Sequence, residues 1–470
     1  MKLTKEKNPF QNNLKLNNRI YLIVLFIFLI LIGLLIGSKE HFGILICVSS
    51  LILCTLIYNI FITPTFSIYL LIILSFIIPG IGRYVTAPWG LSIDILIVIT
   101  YIALFFKFFK DKIPWHKAKS KLTLLVSIWM VYLIFQIINP ESKSIEAWFY
   151  AVRGVGLYQL LMIPLLLMIF DNNKHLNIFL IIWGILSIFG SLKGIQQFKF
   201  GLDPFEQKWL MEVGAKTHIL FGKLRIFSFY SDAGQFGASQ AHAFVVFGML
   251  ALFIKKNIRY FFVVVALGGF IGMFISGTRG AIAVPAMAGV IYLIISKNIK
   301  TLILGSGLGI IVYIFFAYTT IGQGNAEIRR MRSAFNPNDA SLQVRLDTQK
   351  KLKTYLSTRP FGGGVGSTGY WGNRFSPNTF LANSEADSWY VMIWADTGIV
   401  GLVYYLFMIL FILYIGCYNI MYKIKDKLLK TQITALTCGM SGIILASYGN
   451  AVVGQLPTGI LMYVSMAFIF

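Results

Sequence analysis

The sequence is dominated by apolar runs that are long enough to cross a lipid bilayer, which takes about 20 mostly apolar residues. Such runs lie near 20–37, 43–62, 66–80, 92–109, 122–138, 152–170, 176–194, 236–254, 259–275, 280–296, 301–319, 399–421, 430–450 and 456–470. The two shortest runs could be re-entrant or tilted. The sequence therefore predicts an all-α fold, a polytopic bundle of about 14 transmembrane helices with a range of 12–14.

The charge of the chain fits a membrane protein better than a nucleic-acid-binding protein. The formal net charge is +23, although 57% of the residues are hydrophobic and only 13% are charged. Much of this charge is expected to be the lysine signal that marks cytoplasmic loops, so no nucleic acid partner is predicted. Four cysteines lie inside apolar runs without paired spacing and predict neither a disulfide framework nor a zinc site; they are Cys47, Cys54, Cys417 and Cys438.

Loop charge also predicts how the chain crosses the membrane. If the N-terminus is cytoplasmic, every inner loop except the short turn "TPT" is lysine-rich, as in "KKNIR" and "KIKDKLLK". The polar N-terminus shows no cleavage site, so the first helix is expected to be uncleaved. Both chain termini are predicted to be cytoplasmic. The chain is predicted to consist of a tail over 1–19, helices 1 to 11 over 20–319, a large outer loop with amphipathic helices over 320–398, and C-terminal helices over 399–470.

The outer side is expected to hold the chemistry. Segment 195–235 and the large loop 320–398 are too polar to span the membrane and too long to be simple turns. The predicted outer side carries 10 Lys and 10 Arg, whereas the inner side carries 19 Lys and 2 Arg. The planar guanidinium suits bidentate recognition of phosphate and carboxylate. An anionic ligand is therefore predicted on the outer side, although surface ion pairs could account for some of the arginines.

Five of these arginines are the candidate anion ligands. Four stand alone where an outer loop meets a helix end and the fifth lies in a predicted helix over 340–357; they are Arg83, Arg153, Arg225, Arg279 and Arg345. Each could instead snorkel to lipid phosphate, but together they indicate a cluster. Arg279 in "SGTRGAIAV" is favoured most, because Gly277 and Gly280 allow close backbone approach and a helix begins directly afterwards.

Candidate carboxylates lie where the large loop meets a helix, in "NSEADSW". Glu385 or Asp387 could act as a general base toward an acceptor hydroxyl. Two alternatives remain open, namely that Asp387 is a helix N-cap and that the Glu-Ala-Asp pair ligates a divalent metal. In "FYSDAGQFGASQAHA", Asp232 and Gln235 are weaker binding candidates, and His242 is expected to be packed or hydrogen-bonded.

The glycine-rich stretch "RPFGGGVGSTGYWGNRF" over 359–375 does not predict a nucleotide site. It lacks the Gly-Lys-Ser/Thr ending of a phosphate-binding loop and does not visibly join a strand to a helix. Its glycines predict a flexible loop. The rings of Tyr370 and Trp371 could stack on sugar faces.

Four segments resemble, in the same order, the motifs of the O-antigen ligase and O-antigen polymerase superfamily of membrane glycan transferases. They are "LRIFSFYSDAGQFG", "SGTRGAIAV", "VRLDTQKKLKTYLSTRPFGGGVG" and "ADSWYVMIWADTGIVGL", and they lie within residues 200 to 400. The resemblance implies a GT-C-like glycosyltransferase of the bacterial inner membrane that acts on the periplasmic face in lipopolysaccharide or other polysaccharide biosynthesis. The implied donor is an undecaprenyl-diphosphate-linked glycan, the implied acceptor is a glycan, lipid A core or protein hydroxyl, and neither a metal nor a cofactor is implied.

The resemblance also implies roles for individual residues. Arg279 and Arg345 match the arginines that bind the donor diphosphate, and Arg225 opens the upstream motif. Arg153 remains a candidate for the same diphosphate from its position in the sequence and not from the resemblance. Ligases typically carry a histidine where this chain has Asp387, which favours a polymerase or another transferase. The alternative from another class is a transporter or flippase of lipid-linked sugars, although the internal repeats and interrupted helices typical of transporters are not visible.

Overall fold

The protein is almost entirely helical. The computed structural model describes residues 40–109, 115–170, 172–220, 222–324, 326–384 and 386–470. The chain divides into two compact units, Met1–Pro64 and Thr65–Phe470. In the first unit the described helix is α1, Glu40–Ile62. The apolar run near 20–37 and the tail 1–19 lie outside the described residues.

The remaining helices follow one another with short connections. In chain order they are α2 (Pro64–Ile81), α3 (Leu91–Phe108), α4 (Trp115–Ala118), α5 (Lys121–Phe135), α6 (Ile145–Val152), α7 (Tyr158–Ile169), α8 (Asn173–Phe200), α9 (Pro204–Trp209), α10 (Ala215–His218), α11 (Ala233–Phe253), α12 (Ile258–Ile275), α13 (Ala283–Ser296), α14 (Ile299–Tyr318), α15 (Ala326–Arg332), α16 (Ala340–Leu356), α17 (Gly369–Phe375), α18 (Trp389–Tyr418), α19 (Lys427–Ala446) and α20 (Thr458–Ile469). Short 3-10 or π turns adjoin several of them: Gln136–Ile138, Arg153–Leu157, Leu210–Gly214, Arg279–Ile282, Ser333–Phe335 and Asn419–Lys423. An antiparallel hairpin of β1 (Ile219–Leu220) and β2 (Lys223–Leu224) completes the described elements.

Ten helical stretches in the described part of the chain are long and apolar enough to cross a membrane. They are Pro64–Ile81, Lys121–Ile138, Ile145–Ile169, Asn173–Phe200, Ala233–Phe253, Ile258–Ile275, Arg279–Ser296, Ile299–Tyr318, Trp389–Lys423 and Lys427–Ala446. Two further apolar stretches are shorter, namely Val48–Ile62 within α1 and Thr458–Ile469. The all-α, polytopic membrane fold is thus confirmed, whereas the count of about 14 spans is not.

Two helices extend beyond the runs that predicted them. Helix α8 continues to Phe200, so that it includes the first residues of the segment expected to be an outer loop. Helix α18 begins at Trp389 rather than near 399, and its helical geometry is interrupted at Gly398, where φ is +69°. The polar residues Asp396 and Thr397 precede this interruption, which is why the apolar pattern indicated a later start.

The centre of the bundle is α11, whose residues from Ala233 to Ala243 are all buried. It packs against α8, α12, α13 and α19. A Cβ on Gly269 of α12 would meet the backbone of Gln240 and Phe244, so this glycine permits close contact between the two helices. By contrast, α14 buries none of its residues against the rest of the described chain, as expected for a helix that faces lipid tails.

Candidate anion-binding site

Arg279 is held in place by a tight turn that follows α12. Gly277 has φ +57°, a left-handed conformation that favours glycine. The backbone N–H of Thr278 donates to Ser276 Oγ at 3.1 Å, and Thr278 Oγ1 donates to the carbonyl of Ala233 at 2.7 Å. The turn is therefore fixed to the N-terminus of α11. Arg279 consequently lies at the end of a helix and not within one.

Arg225 reaches the same turn from the short hairpin. Its Nη2 donates to Thr278 Oγ1 at 3.1 Å. Burial lowers the pKa of the Arg225 guanidinium, Asp232 counteracts this effect, and repulsion from Arg279 and Arg345 adds to it. Arg279 and Arg345, two other arginines that the sequence singled out, are therefore within electrostatic reach of Arg225.

Arg279 is paired with the large loop. Its Nη1 lies 2.7 Å from Asp339 Oδ2, and the side chains of this pair are 25% and 18% exposed. The same Nη1 donates to Ser333 Oγ at 3.1 Å. Asp339 is also the N-cap of α16, because its Oδ1 accepts from the backbone N–H of Leu342 at 3.1 Å. The cap thus connects Arg279 directly to the helix that carries Arg345.

Arg345 in turn pairs with the candidate base. Its Nη2 donates to Asp387 Oδ2 at 3.3 Å, and the Asp387 side chain is 60% exposed. The N-cap of α18 is Ser388, whose side chain accepts from Val391 N–H. The alternative that Asp387 caps this helix is therefore wrong. Glu385, the other predicted base, lies outside the described residues.

Arg330 belongs to this cluster and was missed by the sequence analysis. Burial lowers its pKa to about 10, and repulsion from Arg225 and Arg279 contributes. It lies in the run "RRMR" at 329–332, and a run of cations is usually a solvated face. The only available signal was this concentration of arginine in a predicted outer loop.

Two of the predicted arginines have partners elsewhere. Arg83 is buried, donates from Nη1 to the carbonyl of Ser228 at 2.6 Å and from Nη2 to that of Tyr230, and lies over the rings of Trp209 and Phe227. Arg153 Nε lies 3.4 Å from Asp94 Oδ2. Arg83 is nevertheless within electrostatic reach of Asp232, which also interacts with Arg225.

The two aromatic residues predicted to stack on sugars lie on α17. Trp371 stacks on Tyr150 with 4.7 Å between ring centroids, and Tyr370 meets the edge of Trp371 at 4.8 Å. Tyr370 is 67% exposed. The guanidinium of Arg153 also faces the Tyr150 ring, at 5.3 Å. The aromatic cluster therefore lies beside Arg153.

The glycine-rich loop is a packed element and not the flexible loop that its composition predicted. Asp396 accepts hydrogen bonds from the backbone N–H groups of Gly366 and Thr368 at 2.9 and 3.1 Å. It also accepts from the hydroxyls of Ser367 and Thr368 at 3.0 and 2.8 Å. A Cβ on Gly366 would meet the carbonyl of Ala147. These glycines are required because backbone segments approach one another closely.

The weaker candidates on α11 have structural contacts. Asp232 is the N-cap of this helix and accepts from Gln235 N–H at 2.9 Å. The Gln235 side chain donates to Thr458 Oγ1 at 2.7 Å. His242 is fully buried against Trp183, with 4.7 Å between their ring centroids, which confirms that it is a packed histidine. Within the described ranges, no group of three or more His, Cys, Asp or Glu is placed to hold a metal ion.

The fold and the cluster define a class, namely a polytopic helical membrane protein with a group of arginines and aspartates where its helices meet a large loop. A family model described as O-antigen ligase matches residues 262–406. An O-antigen polymerase of Salmonella muenchen is 30% identical over 185 residues, which cover 39% of this chain and 45% of that relative. The chain thus matches less than half of the length of this relative. These matches support the resemblance to the O-antigen ligase and polymerase superfamily, and the family model covers residues 262–406 of this chain.

Proposed function

We propose that this protein is a glycosyltransferase that moves a glycan from an undecaprenyl-diphosphate-linked donor to an acceptor hydroxyl. The observation that carries the proposal is that Arg225 and Arg279 meet at one turn, while Arg345 is within electrostatic reach of Arg225 and pairs with Asp387. Clustered guanidinium groups suit a ligand with two adjacent phosphates. The family match over 262–406 supports the same chemistry.

In the proposed reaction, the acceptor oxygen attacks the anomeric carbon of the donor glycan. A carbon–oxygen bond to the acceptor forms while the bond from the anomeric carbon to the diphosphate oxygen breaks, and its electron pair leaves with the diphosphate. The acceptor proton passes to Asp387. The arginines stabilise the negative charge that develops on the leaving group, and a preorganised donor of this kind contributes about 3 kcal/mol. A single displacement would invert the anomeric configuration.

Two observations favour polymerase-type transfer over ligase-type transfer. The superfamily resemblance leads us to expect a histidine near this position in ligases, whereas this chain has Asp387. The curated relative is itself an O-antigen polymerase. In this proposal the acceptor is a second lipid-linked glycan, and the segment 319–388 between α14 and α18 faces the periplasm of a bacterial inner membrane while both chain termini are cytoplasmic.

The test is to incubate the purified full-length protein with a lipid-linked oligosaccharide and to separate the products by size. Longer lipid-linked glycans are expected, and they should be absent with Arg279→Gln. A product that forms only when lipid A core is added would instead indicate a ligase. Movement of unchanged lipid across a vesicle membrane, without a new glycosidic bond, would contradict the proposal and favour a flippase.

A further inference from the structure

Arg330 differs from its two neighbouring arginines on α15. Arg329 is exposed and donates to the carbonyl of Gln323 at 3.2 Å. Arg332 is buried and donates to the carbonyl of Ile321 at 2.5 Å. The Arg330 guanidinium is only partly exposed, yet it makes no hydrogen bond or ion pair with any residue in the described part of the chain. A partly buried cation without a protein partner is unfavourable unless an anion binds it.

The position of Arg330 is set by the turn that also holds Arg279. A Cβ on Gly277 would lie 3.4 Å from Arg330 Cδ and 3.5 Å from its Nε and Nη1. Ser333 Oγ donates to the carbonyl of Arg330 at 2.9 Å and accepts from Arg279 Nη1 at 3.1 Å. The two arginines are therefore adjacent, and the Arg330 side chain lies against Gly277, where a Cβ would make an ordinary van der Waals contact.

Helix α15 lies against the end of a candidate membrane span. The Arg332 guanidinium lies 4.9 Å from the ring centroid of Phe315, in the last turn of α14. The ring of Phe335, just after α15, lies 5.8 Å from that of Tyr313 and 5.9 Å from that of Phe316. Because the apolar chain of a polyprenyl diphosphate stays in the membrane, its lipid-side phosphate must lie near such a helix end.

Arg345 lies at the other end of the proposed ligand. Its partner Asp387 is the proposed base, which must reach an acceptor hydroxyl beside the anomeric carbon. The anomeric carbon is bonded to the sugar-side phosphate, so this phosphate must lie close to Arg345. A diphosphate that spans the cluster then presents its second phosphate toward α15.

We propose that Arg330 binds the phosphate next to the polyprenyl chain, while Arg279 and Arg345 bind the phosphate next to the sugar. This inference rests on the proposed function. It predicts a difference between two lipids, because undecaprenyl monophosphate has only the lipid-side phosphate whereas undecaprenyl diphosphate has both. Arg330 should contribute to the binding of both lipids, and Arg345 to that of the diphosphate alone.

The experiment measures the affinity of the full-length protein in lipid nanodiscs for each of these two lipids. Arg330→Gln is expected to weaken both affinities about tenfold, which corresponds to about 1.4 kcal/mol. Arg345→Gln is expected to weaken only the diphosphate affinity. Arg329→Gln is the matched control, because it removes a neighbouring cation whose side chain is exposed, and it should change neither affinity more than twofold.

Each outcome decides between the alternatives. If Arg330→Gln weakens only one of the two lipids, or neither, the assignment of the lipid-side phosphate to Arg330 is wrong. If the wild-type protein binds undecaprenyl diphosphate no better than an uncharged polyprenol, both the role of Arg330 and the proposed function are wrong. Thermal unfolding checks that Arg330→Gln is folded. If it is not, Arg330→Lys is used, which should show a smaller loss with both lipids because lysine lacks the planar fork.

Discussion

Arg279 and Asp339 form an ion pair with 2.7 Å between Nη1 and Oδ2, and this pair joins the turn after α12 to the N-cap of α16. The carboxylate thus has two functions. Its Oδ1 caps the helix that carries Arg345. Its Oδ2 contacts the Arg279 guanidinium, which we propose binds the donor diphosphate. A bound diphosphate would therefore compete with Asp339 for Arg279.

The first prediction separates these two functions with Asp339→Asn. Asparagine caps a helix about as well as aspartate, so α16 should remain in place, whereas one negative charge beside Arg279 is lost. The affinity for undecaprenyl diphosphate is expected to rise about threefold or more because anion binding meets less repulsion. The measurement is a binding titration, with thermal unfolding as the check of the cap. A weaker affinity at unchanged thermal stability would contradict the competition.

The second prediction concerns Arg279 itself. Arg279→Gln removes a donor that faces the charge developing on the leaving diphosphate, and kcat/KM is expected to fall roughly 100-fold or more. Arg279→Lys should recover only part of this loss, because lysine keeps the charge but lacks the planar fork. The control is Arg329→Gln, which removes an exposed arginine of the same large loop whose guanidinium donates to the carbonyl of Gln323. Full activity of Arg279→Gln would eliminate this arginine from the site.

The sequence was sufficient for the fold because membrane helices are specified locally. A run of about 20 apolar residues satisfies its backbone within itself, so each described run corresponds to a helix. The first ten residues of α18 were missed because Asp396 interrupts the apolar pattern. The groups that satisfy this carboxylate lie near Gly366, 30 positions earlier in the chain. A pattern read along the chain cannot reveal such a partner.

The same reasoning explains which site residues were found. Arg279 and Arg345 were found because isolated arginines at loop positions are conspicuous. Arg83 and Arg153 satisfied the same criterion, but their partners, backbone carbonyls and Asp94, are distant in sequence. Arg330 was missed for the opposite reason, since it lies in a cluster of cations that resembles an ordinary exposed surface. Only the folded structure distinguishes Arg330, whose guanidinium has no partner among the described residues, from its neighbours.

The third prediction is a pH dependence at the C-terminal end of α8. Burial alone would raise the pKa of Asp203, but hydrogen bonds from Tyr84, from the Glu206 backbone and from Lys193 outweigh it and lower the pKa to about 2. Because this folded-state value lies below the unfolded value of about 3.9, the stabilisation is complete above about pH 4 and is lost as the pH falls toward 2.

Asp203→Asn tests this pH dependence. At neutral pH the variant should unfold at a lower temperature than the wild type, and the difference should shrink as the pH falls below about 4. Tyr84→Phe, which removes a hydrogen bond of 2.6 Å to Asp203 Oδ2, should show the same trend with a smaller amplitude. A difference that stays constant from pH 7 to pH 3 would show that the charge of Asp203 does not contribute to stability.

The fourth prediction concerns Asp396, which holds the glycine-rich loop. Asp396→Ala leaves the backbone N–H groups of Gly366 and Thr368 without their acceptor, and each buried unsatisfied group costs about 1–3 kcal/mol. The variant should unfold at a lower temperature, and trypsin should cleave after Arg374, in the helix that follows this loop, faster than in the wild type. Asp396→Asn, which keeps one acceptor oxygen, should be intermediate. If trypsin cleaves the alanine variant at the same rate as the wild type, close packing of the glycines alone holds this loop.

The fifth prediction concerns Gly398, where α18 is interrupted after its first nine residues, which follow Asp387. Its φ of +69° costs an alanine about 1–2 kcal/mol, and a Cβ there would collide with the carbonyl of Pro360 and the N–H of Gly362. Neither backbone group can rotate away, so Gly398→Ala should lower both the unfolding temperature and the rate of glycan transfer. Gly289→Ala is the matched control, because this glycine of α13 has open space around its Cβ position and alanine is favoured in a helix by about 1 kcal/mol. If the two variants unfold at the same temperature, close backbone packing at Gly398 does not position the segment that bears Asp387.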